Sequence, residues 1–514
     1  MNIKKLASIL FQRRVIVALL ILIQSLALLI SMLWFSGAYL YLYWTYVILS
    51  VLAVLVIVSR QTDPGYKIAW IIPILLFPAF GWLVYLLCGG NRMSARQRRK
   101  MHSVNRAMVE QLEKDCKAES LMPFGADAVN QARYVEQYAH CPVYTNTYTR
   151  YFPLGDDVFP VMLDELRKAQ RYIFLEYFII SPGLFWDSVV EILKEKHAAG
   201  VDVRVIYDDV GSLNTLPMNY AKKFERETGI PCCFFNRFKP VISIRMNNRD
   251  HRKFCIIDGH TAFTGGINLA DEYINRISRF GHWKDSAILV KGEAAWSMTV
   301  MFLTMWEYVR EVKEDYAALR PTSLPPESEL GCGHFVQPYT DNPLDNETVG
   351  ETVYLNLISK AKRYVYIMTP YLIVSDCVNT ALCNAAKSGV DVRIMTPHIP
   401  DKPLVFELTR SHYEPLLEAG VRIFEYTPGF VHAKNMVVDD VYAVVGSINM
   451  DYRSMFLHFE DAVWLCHDPT VLDVKADFLT TQIKCQPITL EQCLAHSWVR
   501  RLFRSILRVL SPLL

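Results

Sequence analysis

Two histidines and two lysines in this chain of 514 residues sit in matching contexts. One reads His251-Arg252-Lys253 and runs on to Asp258, the other reads His432-Ala433-Lys434 and runs on to Asp439, so both are His-x-Lys-x-x-x-x-Asp. The stretch HRKFCIIDGHTAFTGGIN from His251 is nearly rewritten as HAKNMVVDDVYAVVGSIN from His432. In an extended chain residues i and i+2 face the same side, so the imidazole and ammonium of each copy address one pocket. That pairing suits a core badly and a phosphoryl group well. Lysine supplies charge and donors, and histidine attacks phosphorus or moves a proton. Each copy then reaches a small-residue turn and an amide, Gly265-Gly266-Ile267-Asn268 and Gly446-Ser447-Ile448-Asn449. There the backbone can approach an oxyanion closely, and Asn268 and Asn449 can donate to it. A lone His-x-Lys arises by chance at a strand end; its repetition with the same downstream glycine and asparagine does not. Two histidines also raise the question of a metal. Lys253 and Lys434 repel a divalent cation, and no His, Cys and carboxylate set shows ligand spacing, so the reading is a site without metal or cofactor.

The elements that must hold these residues are duplicated too. LRKAQRYIFLEYFII from Leu166 matches ISKAKRYVYIMTPYLI from Ile358, and GVDVR occurs at Gly200 and again at Gly389. Each half reads as a helix, a near-continuous apolar strand (172–180 and 364–368), a second helix, and a strand opening on VDVR. Alternating strands and helices imply an α/β fold with a mixed sheet flanked by helices. The period, about 180 residues, is far longer than a solenoid repeat, so two similar domains about a pseudo-twofold axis are expected. That arrangement can bring both histidines to one cleft. The strand-like stretches 254–257 and 435–438 close on Asp258-Gly259 and Asp439-Asp440, turn signals that give these aspartates a structural use beside any chemical one.

Composition narrows the setting. The chain is 52% hydrophobic and 21% charged with a net charge of +2, so no global polycation argues for nucleic acid. The 12 cysteines form no CxxC pairs and read as reduced thiols. The apolar excess is local. Residues 15–33 and 39–58 carry no charge, the second run opening on Tyr39, Tyr41, Tyr43, Trp44 and Tyr46 as an interfacial aromatic belt would. A third run, 68–87, holds Pro73, Pro78 and Gly81 and reads as a kinked span or a re-entrant hairpin. A hairpin leaves every flanking basic cluster on the cytoplasmic face, as the positive-inside rule prefers. At the far end, WVRRLFRSILRVLSPLL from Trp498 is a basic amphipathic segment, read either as a helix docked on the protein or as a membrane-surface helix. The expected organisation is a transmembrane anchor over 1–100, a linker over 101–150, domains over 151–325 and 326–484, and a tail over 485–514. The expected location is the cell membrane, multi-pass, with the catalytic domains on the cytoplasmic face.

The paired HxKxxxxD motifs with their GG/GSxN continuations resemble the phospholipase D superfamily. DPGYKIAWIIPILLFPAFGWLVYLLCGGNR, GGINLADEY, YTPGFVHAK and GSINMDYRS extend the resemblance over nearly the whole chain to the bacterial cardiolipin synthases. The resemblance implies ping-pong phosphatidyl transfer between two phosphatidylglycerols through a phosphohistidine, giving cardiolipin and glycerol. It implies His251 as nucleophile and His432 as general acid, then base. Lys253, Lys434, Asn268 and Asn449 would hold the phosphate, and Asp258 and Asp439 complete the motifs as members of the catalytic set with the two histidines and two lysines. It further implies a carboxylate just downstream of each motif to orient its imidazole, Asp285 in HWKDSA and Glu460 in FLHFEDA. The sequence departs from the family pattern at Asp250 and at His458, where asparagine is common, which bears on substrate detail more than on reaction class. His458 reads as a structural neighbour of Glu460. The alternatives are a phospholipase D or phosphatidyltransferase with another donor or acceptor, and a membrane scaffold that keeps the fold without the activity. Oligomeric state is not legible in the sequence.

Overall fold

The computed structural model describes Leu26 and residues 38–60, 63–78, 81–89, 95–112, 117–237, 247–326, 330, 333–345 and 347–513. It divides into two compact units, one of 94–237 and 248–504, the other of 1–93, 238–247 and 505–514.

The larger unit is built on two sheets of the same design. The first orders its strands Thr147–Phe152, Ala287–Gly292, Thr261–Gly265, Phe254–Ile257, Tyr172–Tyr177, Asp202–Asp208 and Cys232–Phe235. The second repeats that order with Phe335–Asp341, His458–Cys466, Tyr442–Gly446, Asn435–Val438, Tyr364–Met368, Asp391–Pro397 and Arg422–Tyr426, then adds Cys485–Ile488. In each sheet the two apolar strands predicted from the repeat pair parallel, Tyr172 beside Asp202 and Tyr364 beside Asp391. Each motif strand runs antiparallel to the first of these apolar strands, and its hairpin partner runs antiparallel to the motif strand in turn. The sheets are therefore mixed. Both YIFLEY and YVYIM are buried along their whole length, as strands covered on both faces must be. The helix Ala295–Arg310, buried from Ala295 to Tyr308, packs against the first sheet, and Thr470–Gln482 packs against the second.

Two short exchanges join the halves. Arg249–Asp250, just before the first motif, pairs parallel with His458 and Phe459 of the second half. Gly429–Val431, just before the second motif, pairs parallel with His282–Lys284 of the first. Each half thus lends a strand to the other immediately ahead of its own histidine.

Each motif strand ends on an aspartate with left-handed backbone, Asp258 at φ 53° and Asp439 at φ 57°. The Asp258 carboxylate accepts from the backbone N–H groups of Gln170, Arg171 and Tyr172 at 2.8, 2.7 and 2.9 Å. Asp439 does the same for Lys362, Arg363 and Tyr364 at 2.6, 2.8 and 2.8 Å. Each staple ties the motif hairpin to the start of the neighbouring parallel strand.

The ends of the larger unit differ from the expected segmentation. The strand Thr147–Phe152 begins inside the stretch read as linker, because TYTRYF alternates buried and exposed residues rather than forming an apolar run. The strand Cys485–Ile488 carries the second sheet into the stretch read as tail; it lies at the sheet edge, half exposed, with little hydrophobic signal.

In the smaller unit the run 15–33 lies outside the described residues. The run 39–58 falls in the charge-free helix Ala38–Ser59, whose side chains are fully described only from Tyr43 onward. The run 68–87 is broken into two helices, Pro64–Leu76 and Gly81–Cys88. They lie antiparallel: the Tyr66 hydroxyl donates to the Gly89 carbonyl at 2.7 Å, Trp70 meets Tyr85 edge-on at 5.3 Å, and Gly81 lies against Ile74. At 1.5 Å per residue neither arm approaches the roughly 30 Å of a hydrocarbon core. Asp63 caps the first arm through Tyr66 N–H at 3.0 Å, with Pro64 behind it. Among the described residues no helix is long and apolar enough to cross a membrane, so the spanning anchor expected over 1–100 is not established.

The staples give a direct test. Asp258→Ala or Asp439→Ala leaves three backbone donors without their carboxylate, a loss on the order of 3 kcal/mol. The melting temperature is expected to fall by several degrees in either variant and by less in the asparagine variants, which keep one acceptor; unchanged melting would remove the staple from the fold's support.

Candidate active site

The strand exchanges decide where the histidines point. The His251 N–H donates to the carbonyl of Phe459 at 2.9 Å, and the His432 N–H donates to the carbonyl of Lys284 at 2.7 Å. Each histidine therefore continues a ladder on the opposite half, one position short of that half's carboxylate. His251 Nδ1 lies 2.9 Å from both carboxylate oxygens of Glu460, and His432 Nδ1 lies 2.6 Å from Asp285 Oδ2. The pairing is crossed. Asp285 and Glu460 were expected to orient the histidine upstream of each in the same half, and the structure assigns each to the histidine of the other. Spacing along the chain could not show this, because the choice is made by the exchanged strands.

Both imidazoles are more than nine-tenths buried, and Lys253 and Lys434 are 1% exposed. The lysine ammoniums turn back to the carbonyls of His251 and His432, and Lys434 Nζ also lies 2.9 Å from His432 Nδ1. The glycine turn has a packing reason. A Cβ on Gly266 would lie 2.0 Å from Asp285 Oδ1 and 2.9 Å from the His432 carbonyl, so only glycine leaves room for that pair. Its counterpart Ser447 is admitted because its hydroxyl donates to Glu460. Asn268 is engaged at both ends, accepting from Ile179 N–H at 2.9 Å and donating to the Tyr273 hydroxyl at 2.8 Å. Asn449 is buried with its carbonyl oxygen unpaired among the described residues.

Asp258 and Asp439, grouped above with the catalytic residues, stand elsewhere. Each follows the end of a four-residue motif strand whose opposite end is the one nearer its histidine. Their carboxylates are already held by three backbone donors apiece. Their equal spacing in the two copies reflects the turn that closes the strand.

Burial sets the charge state. It drives His251 down to about 3 despite Glu460, and, with the Lys434 ammonium adding to it, brings His432 to about 4. Burial also lowers Lys434 to about 7 and moves Lys253 in the same direction. For Glu460 burial works upward but the His251 contact outweighs it, and the carboxyl ends well below its ordinary range. Asp285 is likewise lowered, against its burial, by His432 and Lys434. Asp461, next to Glu460, goes the other way, pushed by burial to about 7, and accepts from Thr264 and from the Lys253 N–H. At neutral pH the site holds two neutral imidazoles against two carboxylates. A neutral imidazole that donates Nδ1–H to a carboxylate leaves the Nε2 lone pair free.

Aromatic and charged neighbours complete the surroundings of the two histidines. Phe178 packs edge-on against His251 at 4.8 Å, while Trp283 and Tyr273 pack against His432 at 5.3 and 5.5 Å. Arg252, between the motif His and Lys, points to the strand's other face, where it is paired with Glu176 at 2.5 Å and Asp250 at 3.1 Å. His458, noted in the sequence as a departure, stands with its ring 5.6 Å from His251.

The two-domain fold with its paired His-x-Lys motifs belongs to the phospholipase D superfamily. The sequence profile described as "Cardiolipin synthase, PLD-like domain" matches residues 162–306 and 354–481, and that described as "Phospholipase_D-nuclease N-terminal" matches 48–90. A cardiolipin synthase of Geobacillus thermodenitrificans is 33% identical over 97% of this chain and 99% of its own length. A Streptococcus mutans protein without an assigned function is 41% identical over 90% of this chain and 99% of its own. The crystal structure of a phosphatidylserine synthase from Haemophilus influenzae shares the fold at 14% identity and TM-score 0.56, covering 75% of this chain and all of that one. The chain belongs to the PLD-like cardiolipin synthase family.

The neutral imidazoles have a consequence for stability. In the unfolded chain a histidine titrates near 6.5, so as pH falls through that value the unfolded state takes up protons that the fold refuses until about 3 to 4. Stability from these two groups is full above about 6.5 and drains away toward pH 4. The wild type's advantage in denaturation midpoint over His251→Asn/His432→Asn is expected to shrink over that interval; a constant difference would show that the imidazoles are not held neutral.

Proposed function

We propose that the chain makes cardiolipin at a membrane, transferring a phosphatidyl group from one phosphatidylglycerol to another and releasing glycerol. The observation that carries this reading is the crossed pair of buried imidazole–carboxylate contacts, because phosphodiester exchange needs one attacking and one proton-moving imidazole at a single phosphorus. His251 is the nucleophile. Its Nδ1–H is held by Glu460, and its Nε2 lone pair forms the N–P bond while the P–O bond to glycerol breaks. His432 protonates the leaving glycerol oxygen, which leaves a phosphatidyl-His251 and a neutral His432. The hydroxyl of a second phosphatidylglycerol then loses its proton to His432 as its oxygen attacks phosphorus, the N–P bond breaks, and both imidazoles return to their first state. Lys253 and Lys434 neutralise the non-bridging oxygens, with Asn268 and Asn449 as further donors. The bound phosphodiester's negative charge raises the proton affinity of His432, which burial otherwise keeps low.

Membrane attachment supports lipid as both donor and acceptor. The helix Ala38–Ser59 exposes Trp44, Ile48, Val51, Leu52, Leu55 and Val56, an apolar surface that water does not favour. The hairpin of residues 64–88 would enter one leaflet and return, leaving the catalytic domains on the cytoplasmic face.

Purified full-length protein in detergent micelles, given phosphatidylglycerol alone, is expected to yield cardiolipin and glycerol in equal amounts by mass spectrometry. His251→Ala and His432→Ala are each expected to lose roughly 10³-fold or more in rate. Phosphatidate in place of cardiolipin would make the protein a hydrolase, and undiminished product from His251→Ala would overturn the mechanism.

The pH dependence follows from the same charges. In the free protein the acid form of His432 becomes scarcer above about 4, and Lys434 loses its proton above about 7. Thus kcat/KM is expected to fall as pH rises from 5 to 9, more steeply beyond about 7. A profile flat through 7 would show that the Lys434 charge is not needed.

A further inference from the structure

His458 is a buried imidazole with no hydrogen bond to either ring nitrogen among the described residues. Leaving such a group unsatisfied is costly, and the chain keeps it beside the attacking histidine. It opens the strand His458–Cys466, so His458 and Glu460, two apart, share a face. The exchanged strand sets Arg249 beside His458 and Asp250 beside Phe459, and the next residue, His251, arrives opposite Glu460. His458 Nδ1 stands 3.7 Å from Glu460 Oε1, too far for a hydrogen bond. One donor atom from each of His251, His458 and Glu460 lies within 4.8 Å of the other two.

We propose that these three side chains form a site for a borderline divalent cation, Zn²⁺ above all, and that its occupancy switches off transfer. Ligands at about 2.1 Å from a tetrahedral ion are about 3.4 Å from one another, so sub-ångström to ångström shifts of three side chains close the set. Two imidazoles and one carboxylate suit Zn²⁺, and three protein ligands leave the fourth position open. The nearby Lys253 ammonium opposes any divalent ion; a single carboxylate does not offset that for Mg²⁺ or Ca²⁺, which want several oxygens, whereas two imidazoles are strong ligands for Zn²⁺ and offset it. The corresponding position in the other half is Trp283, whose indole N–H reaches Asp285 at 3.4 Å and offers no ligand. Among the described residues the site therefore occurs once, on the His251 side. A neutral imidazole ligates through its single ring-nitrogen lone pair, so an ion on Nδ1 moves the His251 proton to Nε2 and an ion on Nε2 takes that lone pair itself; either way the lone pair that must attack phosphorus is lost, and the ion also takes the Glu460 oxygen that held Nδ1–H. The site's effect on activity rests on the transfer reading above; its binding of metal does not.

The test uses the full-length protein in detergent, freed of metal by chelation and titrated with Co²⁺. One equivalent per chain is expected, with the visible absorption of tetrahedral cobalt, displaced by Zn²⁺ and not by Mg²⁺. His458→Asn and His458→Gln, each checked for folding by near-ultraviolet circular dichroism, are expected to weaken binding by at least about tenfold. Zn²⁺ at the concentration that fills the site is expected to stop transfer by the wild type and to spare the His458→Asn protein relative to its own metal-free rate. No stoichiometric binding, or binding unchanged in both variants, would overturn the site; stoichiometric binding without inhibition would overturn the switch. A protein that binds cobalt but makes no cardiolipin without metal would refute the transfer reading alone.

Discussion

The contacts between His251 and Glu460 and between His432 and Asp285 are the constraint around which the larger unit is arranged. Each joins the two halves, each is buried, and each needs a partner that its own half does not supply. Two geometric requirements follow. The segment before each histidine must leave its own sheet and pair with the other, as Arg249–Asp250 and Gly429–Val431 do. The turn after Gly265 must admit a carboxylate and a carbonyl where a Cβ would stand, which is why Gly266 cannot carry a side chain. A hydrogen bond to a charged group contributes only a few kcal/mol, yet leaving one of these partners alone in the interior would cost about as much or more. The halves are thereby held in one register.

Burying this much charge demands a surrounding frame that is itself polar and paired. Asp208 accepts from the Arg249 side chain and from the Asp250 N–H, both at 3.0 Å, and so fixes the first exchanged strand. Lys284, beside the second, reaches Asp477 at 2.8 Å and the Pro153 carbonyl at 2.6 Å. Asn435 donates to Tyr151 at 2.7 Å and accepts from Ser286 at 3.0 Å, joining the second motif to the first sheet. These contacts hold the two imidazoles and their carboxylates in place before any ligand arrives.

The duplication is close in backbone and loose in chemistry. Both motif aspartates make the same three bonds, and both histidines make the same cross-half ladder contact. Around them the halves diverge. Arg252 and Asp461 are ionisable where Ala433 and Ser286 are their counterparts, and His458 stands where the other half has Trp283. Two imidazoles in equivalent frames thus meet different surroundings, which is what a reaction requires when one must attack and the other must carry a proton.

Much of this was legible in the chain. The two HxK copies, the GVDVR repeat and the fully apolar strands are local patterns, and local patterns report the pleat, the period and the chemistry of side chains that must face one way. Asp285 and Glu460 were visible as candidates, but their partners were not. The exchanged strands are two and three residues long, too short for periodicity to mark, and the contacts they set up join residues 209 and 147 positions apart. For the same reason the sequence could not show that Arg252 turns away, that Asp258 and Asp439 staple the sheets, or that His458 comes within reach of His251. The chain by itself determined the residue types and the repeat, because those are written in neighbouring positions. Only the tertiary structure decided which carboxylate serves which histidine and what charge each carries, because contact and burial depend on residues that the chain keeps far apart.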